Sequence, residues 1–424
     1  MKKQFKICII GLGYVGLPLL CNLGGKFNMI GFDLNKKRIS KLKEGIDLNK
    51  EIKKKDILNK NILFTNNIES IYGADVYIIC VPTPINHNKI PDLKLLKQAC
   101  ITVGKVIKES NLVIIESTVY PSTTDEICIP LLEKYSGLKN IKNNSNINKG
   151  FYVGYSPERI NPGDKLNTVT NTSKLISSNS SKGLNLISKI YGKTIKGKLI
   201  KVNSIKECEA SKIIENVQRD INIALMNEFS KIFRKMNLDV NSIINYANTK
   251  WNFSYYQPGL VGGHCIGVDP YYLAYISKKI GIDPKLILSG REINDNMYKQ
   301  IIFRIKEIFN QKKINFIKSK ILIMGYSFKE NCPDIRNTQI EKIYKELRNQ
   351  VQSIEIYDPM LKGQKTDNKF INFPIANKYN AILILVPHNE FLRMPNKIIK
   401  SFLHKKGFVF DLKSKFKNKE YYKL

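Results

Sequence analysis

Short apolar runs bounded by turn residues recur through the first half of the chain: "FKICII" (5–10), "MIGFD" (29–33), "ADVYIICV" (74–81), "LVIIESTV" (112–119) and "FYVGYSP" (151–157). Runs of this length, rich in isoleucine and valine and separated by helix-length segments, predict strands of a parallel sheet covered on both faces. From about residue 205 the period changes. Ala210, Ile213, Ile214, Val217, Ile221, Ala224 and Leu225 recur at helical spacing within "KECEASKIIENVQRDINIALMNEFSKIFRKM", which predicts one long amphipathic helix. Helical texture continues to about residue 312, and strand texture returns at "KILIMG", "SIEIYD", "AILILVP" and "FVFDL". The pattern predicts an α/β chain in three parts: an α/β domain over 1–204, a central helical domain over 205–312 and a second α/β domain over 313–424. The two α/β parts resemble each other only in texture. The polar stretch "NIKNNSNINKG" (140–150) reads as a solvated loop.

Charge changes this picture little. The 69 lysines and arginines against 36 acidic residues give a formal net charge of +33, a balance that invites nucleic acid as a partner. Yet lysine and asparagine recur in every segment, with no confined basic arm and no interleaved stacking aromatics. That spread fits a solvated surface with a general attraction for phosphorylated ligands, and no nucleic-acid partner is expected. The eight cysteines, at 8, 21, 80, 100, 128, 208, 265 and 332, form no CxxC pair, so neither a disulfide framework nor a metal site is expected. Cys8 and Cys80 lie inside apolar runs and read as small core residues. The opening "MKKQFKICIIGLGYVGLPLL" has the outline of a secretory signal, but glycines interrupt it and no run reaches membrane-spanning length. A cytoplasmic protein without membrane insertion is expected.

Candidate chemistry begins at Gly11, Gly13 and Gly16, a G-x-G-x-x-G set directly after the first strand and before an apolar helix. The spacing alone is weak. Strand before, helix after and Asp33 ending the next strand make it a Rossmann-type dinucleotide turn. The glycines let a pyrophosphate approach the helix N-terminus, whose free N–H groups favour anions. Asp33 would accept from the ribose hydroxyls and repel a 2′-phosphate, which points to NAD rather than NADP. The plainer alternative is a glycine-rich turn with a solvent-facing aspartate.

Longer motifs then occur in order: "GLGYVGLPL", "CVPTP", "ESTVYPSTT", "SPERINPGD", "EASKIIEN", "GLVGGHCIGVDPYY" and "GYSFKENCPDIRNT", spanning residues 11–338. By these the chain resembles the UDP-glucose/GDP-mannose dehydrogenase family. "YVGLPL", "TKWNF" and "GLVGGHCIGVDPYYL" look most like its branch acting on UDP-N-acetylhexosamines. The resemblance implies a Rossmann-type NAD domain, a central helical dimerisation domain and a Rossmann-like nucleotide-sugar domain. It also implies a homodimer and oxidation of a sugar C6 alcohol to a carboxylate with two hydride transfers to NAD, serving surface polysaccharide synthesis.

Under that resemblance Cys265 is the nucleophile. An aldehyde yields a second hydride only after something adds to its carbon, and a thiolate can add, giving a thiohemiacetal and then a thioester. A helix expected to begin near Pro270 would lower the thiol pKa. Asp269 reads equally as a helix N-cap before proline and, by resemblance, as a group handling protons around the thioester. Lys212 and Asn216, four apart on one helix face, are implied to stabilise charge on the C6 oxygen; in so lysine-rich a chain, a solvated lysine is the ordinary alternative. Thr118 and Glu158 end strands, where α/β sheets carry functional groups. The resemblance sets Thr118 near the nicotinamide and gives Glu158 a part in hydrolysis.

The implied cofactor set adds Tyr14, Val15, Arg38, Thr83 and Arg336. The implied substrate set adds Arg159, Gly262 and Lys329, the last in the same segment as Asp334. Lys250, Trp251 and Tyr256 read either as sugar-pocket lining or as an aromatic interface, and His264 is left unassigned. Two departures stand out: Ser122 occupies a usual glycine position, and Pro162 stands where many UDP-glucose members carry a second glutamate. The expected substrate is UDP-N-acetylglucosamine or its galacto epimer. Alternatives within the family are UDP-glucose, UDP-N-acetylmannosamine and GDP-mannose. A two-domain β-hydroxyacid dehydrogenase would share the first domain and long helix without needing a thiol. A non-catalytic nucleotide-sugar-binding regulator would keep the glycine turn yet tolerate loss of Cys265.

Overall fold

The computed structural model describes residues 5–49, 51–59, 61–143, 145–159, 170–263, 265–361 and 369–424. Pro162 and His264 lie outside the described residues. The chain divides into two compact units, Met1–Glu215 with Tyr271–Asp283, and Asn216–Pro270 with Pro284–Leu424. Two of the divisions fall within the long helix Ile205–Lys235 and the helix Asp269–Lys279, and the third just before helix Lys285–Gln311.

Among the described residues the first unit holds a nine-stranded sheet. Its strands are β1 (Lys6–Ile10), β2 (Asn28–Phe32), β3 (Ile62–Thr65), β4 (Val76–Ile79), β5 (Leu112–Ile115), β6 (Lys139–Asn140), β7 (Gly150–Tyr155), β8 (Lys174–Ser178) and β9 (Leu199–Lys201). The order is β3-β2-β1-β4-β5-β7-β8-β9, with β6 beside β7; every pairing is parallel except β7 with β8. β4, β5 and β7 are buried along their whole length, as continuous apolar runs require when both faces are covered. The expected loop at 140–150 needs correction at its ends. Asn140 is buried in β6, where its side-chain amide donates to the Phe151 carbonyl, and Gly150 already belongs to β7.

The second unit carries a four-stranded, all-parallel sheet in the order β11-β10-β12-β13, with β10 at Lys320–Met324, β11 at Ser353–Tyr357, β12 at Tyr379–Ile384 and β13 at Leu403–Asp411. Helix Lys285–Gln311 buries Met297, Ile301, Ile305, Ile308 and Phe309 in its core. The long helix forms as expected, but its apolar stripe is narrower than the period suggested. Ile213, Val217 and Ala224 are buried, whereas Ile214 and Leu225 are 58% and 42% exposed. Adjacent residues point about 100° apart on a helix, so one contact face cannot take both members of each pair.

Candidate functional site

The dinucleotide turn is shaped by backbone necessity. Gly11 adopts φ +92°, a region that resists side chains, and a β-carbon there would lie 2.9 Å from the Cys80 carbonyl. A β-carbon on Gly16, the first residue of helix Gly16–Gly24, would fall 1.9 Å from the Gly11 carbonyl. At Gly13 a β-carbon would meet nothing within 4 Å, so the turn leaves open space beside its middle glycine. Such a cradle fits a pyrophosphate. Asp33 accepts from Leu12 N–H at 2.9 Å and Asn35 N–H at 2.8 Å, which fixes its carboxylate at the turn. Tyr14 is half-buried, and Val15 packs on the core beneath the helix start. Arg38 has partners within the protein: its Nε donates to the Leu12 carbonyl and its guanidinium pairs with Asp47 at 3.2 Å. In the structure it buttresses the turn.

The ends of β4, β5 and β7 collect the unit's other candidates. Thr83 Oγ1 donates to the Thr118 carbonyl at 2.6 Å, and the Tyr272 hydroxyl donates to the Thr83 carbonyl. Glu158 Oε1 accepts from Arg159 N–H at 2.7 Å, while the Arg159 guanidinium pairs with Glu215 at 2.6 Å and reaches the Ser173 carbonyl at 3.1 Å. A buried cluster that sequence reasoning missed lies close by. Lys174 pairs with Glu116 at 3.0 Å, and the Tyr191 hydroxyl donates to the same carboxylate. Burial pushes the Glu116 carboxyl up against the pull of Lys174. Lys212 is itself buried, contrary to the ordinary expectation for a helix lysine, and no acidic side chain pairs with it among the described residues.

The second unit builds its candidates around the glycine-rich segment. Cys265 is exposed, whereas the other seven cysteines are buried or half-buried. Its carbonyl accepts from Val268 N–H at 3.0 Å and Asp269 N–H at 2.8 Å, so the thiol-bearing residue immediately precedes helix Asp269–Lys279. Asp269 is 2% exposed, and the Asn216 side-chain amide donates to its carboxylate at 2.5 Å. Gly262 and Gly263 pack on the 328–337 segment. A β-carbon on Gly262 would lie 3.0 Å from the Asn337 carbonyl, and one on Gly263 (φ +82°) 2.7 Å from the Phe328 ring. Lys329 and Arg336, implied contacts of substrate and cofactor, therefore lie on the segment that supports the Cys265 loop. Lys329 stands over Phe328, and Arg336 forks onto Asp334 with Nη2 at 2.7 Å. Lys250 and Trp251 are exposed beyond helix Val240–Ala247. The Tyr256 hydroxyl donates to Gln218 at 3.2 Å, a bond that ties it to the long helix rather than to the Cys265 loop.

Comparison with known proteins gives the chain a family. Models of the UDP-glucose/GDP-mannose dehydrogenase family match the chain at residues 5–195 (NAD binding domain), 206–296 (central domain) and 322–418 (UDP binding domain). The chain belongs to that family. A UDP-N-acetyl-D-glucosamine 6-dehydrogenase of Salmonella typhi is 45% identical over 97% of this chain and 96% of its own. One from Pseudomonas aeruginosa is 41% identical over 97% of each chain. The solved structure of a UDP-D-ManNAc dehydrogenase from Pyrococcus horikoshii superposes with a TM-score of 0.86 at 31% identity, covering 98% of this chain and 96% of its own. As a family member the chain is a nucleotide-sugar dehydrogenase, an oxidoreductase with a Rossmann NAD-binding domain. Among the described residues no helix is long and apolar enough to cross a membrane, and no cluster of potential metal ligands occurs.

Behind the Cys265 loop lies a second group that no sequence signal marks. Asn227, fully buried, holds Gly259 by both backbone groups, accepting its N–H at 2.7 Å and donating to its carbonyl at 3.0 Å. Asn294 bridges Asn227 to Asp220, and Asp220 pairs with the buried Arg291 at 2.6 Å. The Arg291 guanidinium lies 3.8 Å from where a Gly267 β-carbon would sit. A paired buried arginine of this kind is a structural anchor for the loop.

Proposed function

We propose that the chain oxidises the C6 hydroxyl of UDP-N-acetyl-D-glucosamine, or of its galacto epimer, to the uronic acid in two NAD-dependent steps. The observation that carries this reading is the exposed Cys265 on a turn that also presents Asp269 bonded to Asn216. Bound NAD supplies the hydride acceptor for both oxidations. Lys212 and the Asn216 amide stabilise negative charge on the C6 oxygen, and Thr118 lies on the nicotinamide side. The Cys265 thiolate adds to the aldehyde carbon, forming a C–S bond and an alkoxide; loss of hydride from that carbon leaves a thioester. Water activated by Asp269 or Glu158 cleaves the thioester, releasing the carboxylate and returning the thiol. Lys329, Arg159, Lys250, Tyr256 and Gly262 serve the nucleotide sugar, Asp33, Thr83 and Arg336 the cofactor, and Arg38 the cofactor turn that it buttresses. The glucosamine reading is supported by the Salmonella and Pseudomonas relatives; UDP-N-acetylmannosamine, named for the Pyrococcus relative, is the alternative. A homodimer accompanies the reading, supported by exposed Leu225 and Ile232 on the long helix and Met236 just after its end.

The test is a panel of UDP-N-acetylhexosamines, UDP-glucose and GDP-mannose, with NADH and acid both measured. The expected outcome is about two NADH per sugar, acid formation lost in Cys265→Ala, and an intact-mass adduct of the sugar on Cys265 in the wild type. Acid production by Cys265→Ala at the wild-type rate would remove the thioester route.

A further inference from the structure

Glu209 precedes Lys212 by three residues on the long helix and is fully buried. Its two carboxylate oxygens accept the N–H groups of Ser122 at 2.6 Å and Thr124 at 2.9 Å. Those groups open the helical segment formed by Thr124–Cys128 and Ile129–Ser136, and a helix start has no acceptors of its own for them. Ser122 holds φ +78°, a conformation that a residue with a β-carbon resists. Thr123 Oγ1 donates back to the Tyr120 carbonyl at 2.6 Å. The turn is thus fastened at both ends: through Thr83 to the Thr118 carbonyl, and through Ser122 and Thr124 to Glu209.

We propose that Glu209 is a positioning residue: as a carboxylate it clamps the turn after Thr118 to the helix that carries Lys212, and on protonation it releases one side of that turn. The chemistry rests on donor count. A carboxylate offers an acceptor to each N–H, whereas a carboxylic acid directs an O–H against one of them. The inference rests on the proposed function, because only there are Thr118 and Lys212 reaction groups. Burial pushes the Glu209 carboxyl up to about 7; hydrogen bonds from Thr124 and Ser122 pull it down, and nearby Asp125 adds to the rise. Cys128 and Cys208 also stand beside it, both raised, the first chiefly by its contact with Cys100 and the second by burial, and Lys212 follows one turn along the helix. The clamp is therefore present above neutral pH and is lost as pH falls through about 7. It also accounts for the serine at position 122, since the Glu209 bond holds the backbone angle that glycine would adopt unaided.

Protection factors for amide exchange at Ser122 and Thr124, and kcat, are to be measured across neutral pH in the wild type, Glu209→Gln and Glu209→Gln with Ser122→Gly. In the wild type, protection and kcat fall together below about pH 7. Glu209→Gln loses about a hundredfold in kcat, as expected for a misplaced reacting group. Its KM for NAD stays within about threefold, and the acid limb near neutrality vanishes from its pH profile. Ser122→Gly in that background recovers part of kcat without restoring the acid limb, which a merely structural pin would not have produced. A Glu209→Gln enzyme with unchanged kcat and acid limb, or wild-type protection indifferent to pH, overturns the proposal. The wild-type exchange titration needs no variant, so poor folding of Glu209→Gln leaves the test intact. If the wild type oxidises none of the nucleotide sugars, the proposed function falls, while exchange still decides whether the clamp exists.

Discussion

The two sheets solve the same backbone problem and then part company. In each, the strand order reverses at the first strand: β1 lies between β2 and β4, and β10 between β11 and β12. Each first strand ends in a left-handed glycine, Gly11 at φ +92° and Gly325 at +87°, whose β-carbon would press on a backbone carbonyl after the neighbouring strand, Cys80 at 2.9 Å or Val386 at 2.3 Å. Each second strand is succeeded by an aspartate that grips the turn. Asp33 accepts from Leu12 N–H; Asp358 accepts from Tyr326 N–H at 2.7 Å and Ser327 N–H at 3.0 Å. The likeness therefore exceeds the shared texture seen along the chain. The difference lies in the residues just beyond the glycine. Gly13 leaves the first turn bare, while Gly16 lets the helix start press on Gly11. Tyr326, Ser327 and Phe328 continue the second, where buried His388 accepts from Asn331 N–H at 2.9 Å and stands 3.2 Å from Asp358. The same switch point serves an open cradle in one unit and a turn filled by its own side chains in the other, so the ligand is chosen by the residues grafted onto the fold.

The largest effects should come from the shared glycines. Gly16→Ala places a β-carbon 1.9 Å from the Gly11 carbonyl, and Gly325→Ala places one 2.3 Å from the Val386 carbonyl at a positive φ. Each should cost on the order of 3 kcal/mol or more, through overpacking and, for Gly325, left-handed strain. Denaturant midpoints check this. NAD titration separates the two: Gly16→Ala should abolish binding, and Gly325→Ala should leave it intact wherever the protein remains folded.

The carboxylates should give intermediate effects that differ in kind. Asp358 is buried and accepts three backbone N–H groups, counting Met360 at 2.8 Å, so Asp358→Asn should destabilise by about 2 kcal/mol. Asp33 is half-buried and accepts two. Asp33→Asn should cost about 1 kcal/mol in stability while weakening NAD about tenfold. Equal stability losses, with no change in NAD affinity, would erase the distinction between the turns.

Legibility in the chain divides along the same line between local and distant constraint. The apolar runs give the strands, and the glycine spacing gives the turn, because both depend on residues adjacent in sequence. Cys265 is visible through its motif, yet the partnership of Asn216 with Asp269 joins positions 53 residues apart. Glu209 meets Ser122 across 87 residues. Nothing in "EASKIIEN" separates that glutamate from a solvated one, although Ser122 stands out as a departure. Lys174 and Lys212, buried in a chain full of surface lysines, are equally hidden. The helical period also claims too much, assigning Ile214 and Leu225 to a face that turns away from them.

The smallest structural change offers the sharpest reading of the comparison. Gly13 is the one glycine of its turn whose β-carbon position is empty, with nothing within 4 Å and no positive φ. Nothing among the described residues therefore requires glycine there. Gly13→Ala should leave the denaturant midpoint within about 0.5 kcal/mol of wild type. If the bare space seats a pyrophosphate, the added methyl group should displace it and raise the NAD Kd at least about tenfold, roughly 1.4 kcal/mol. An alanine that costs neither stability nor affinity would mean that the open side of the first turn faces only water. The contrast with the filled turn of the second unit would then lose its functional meaning.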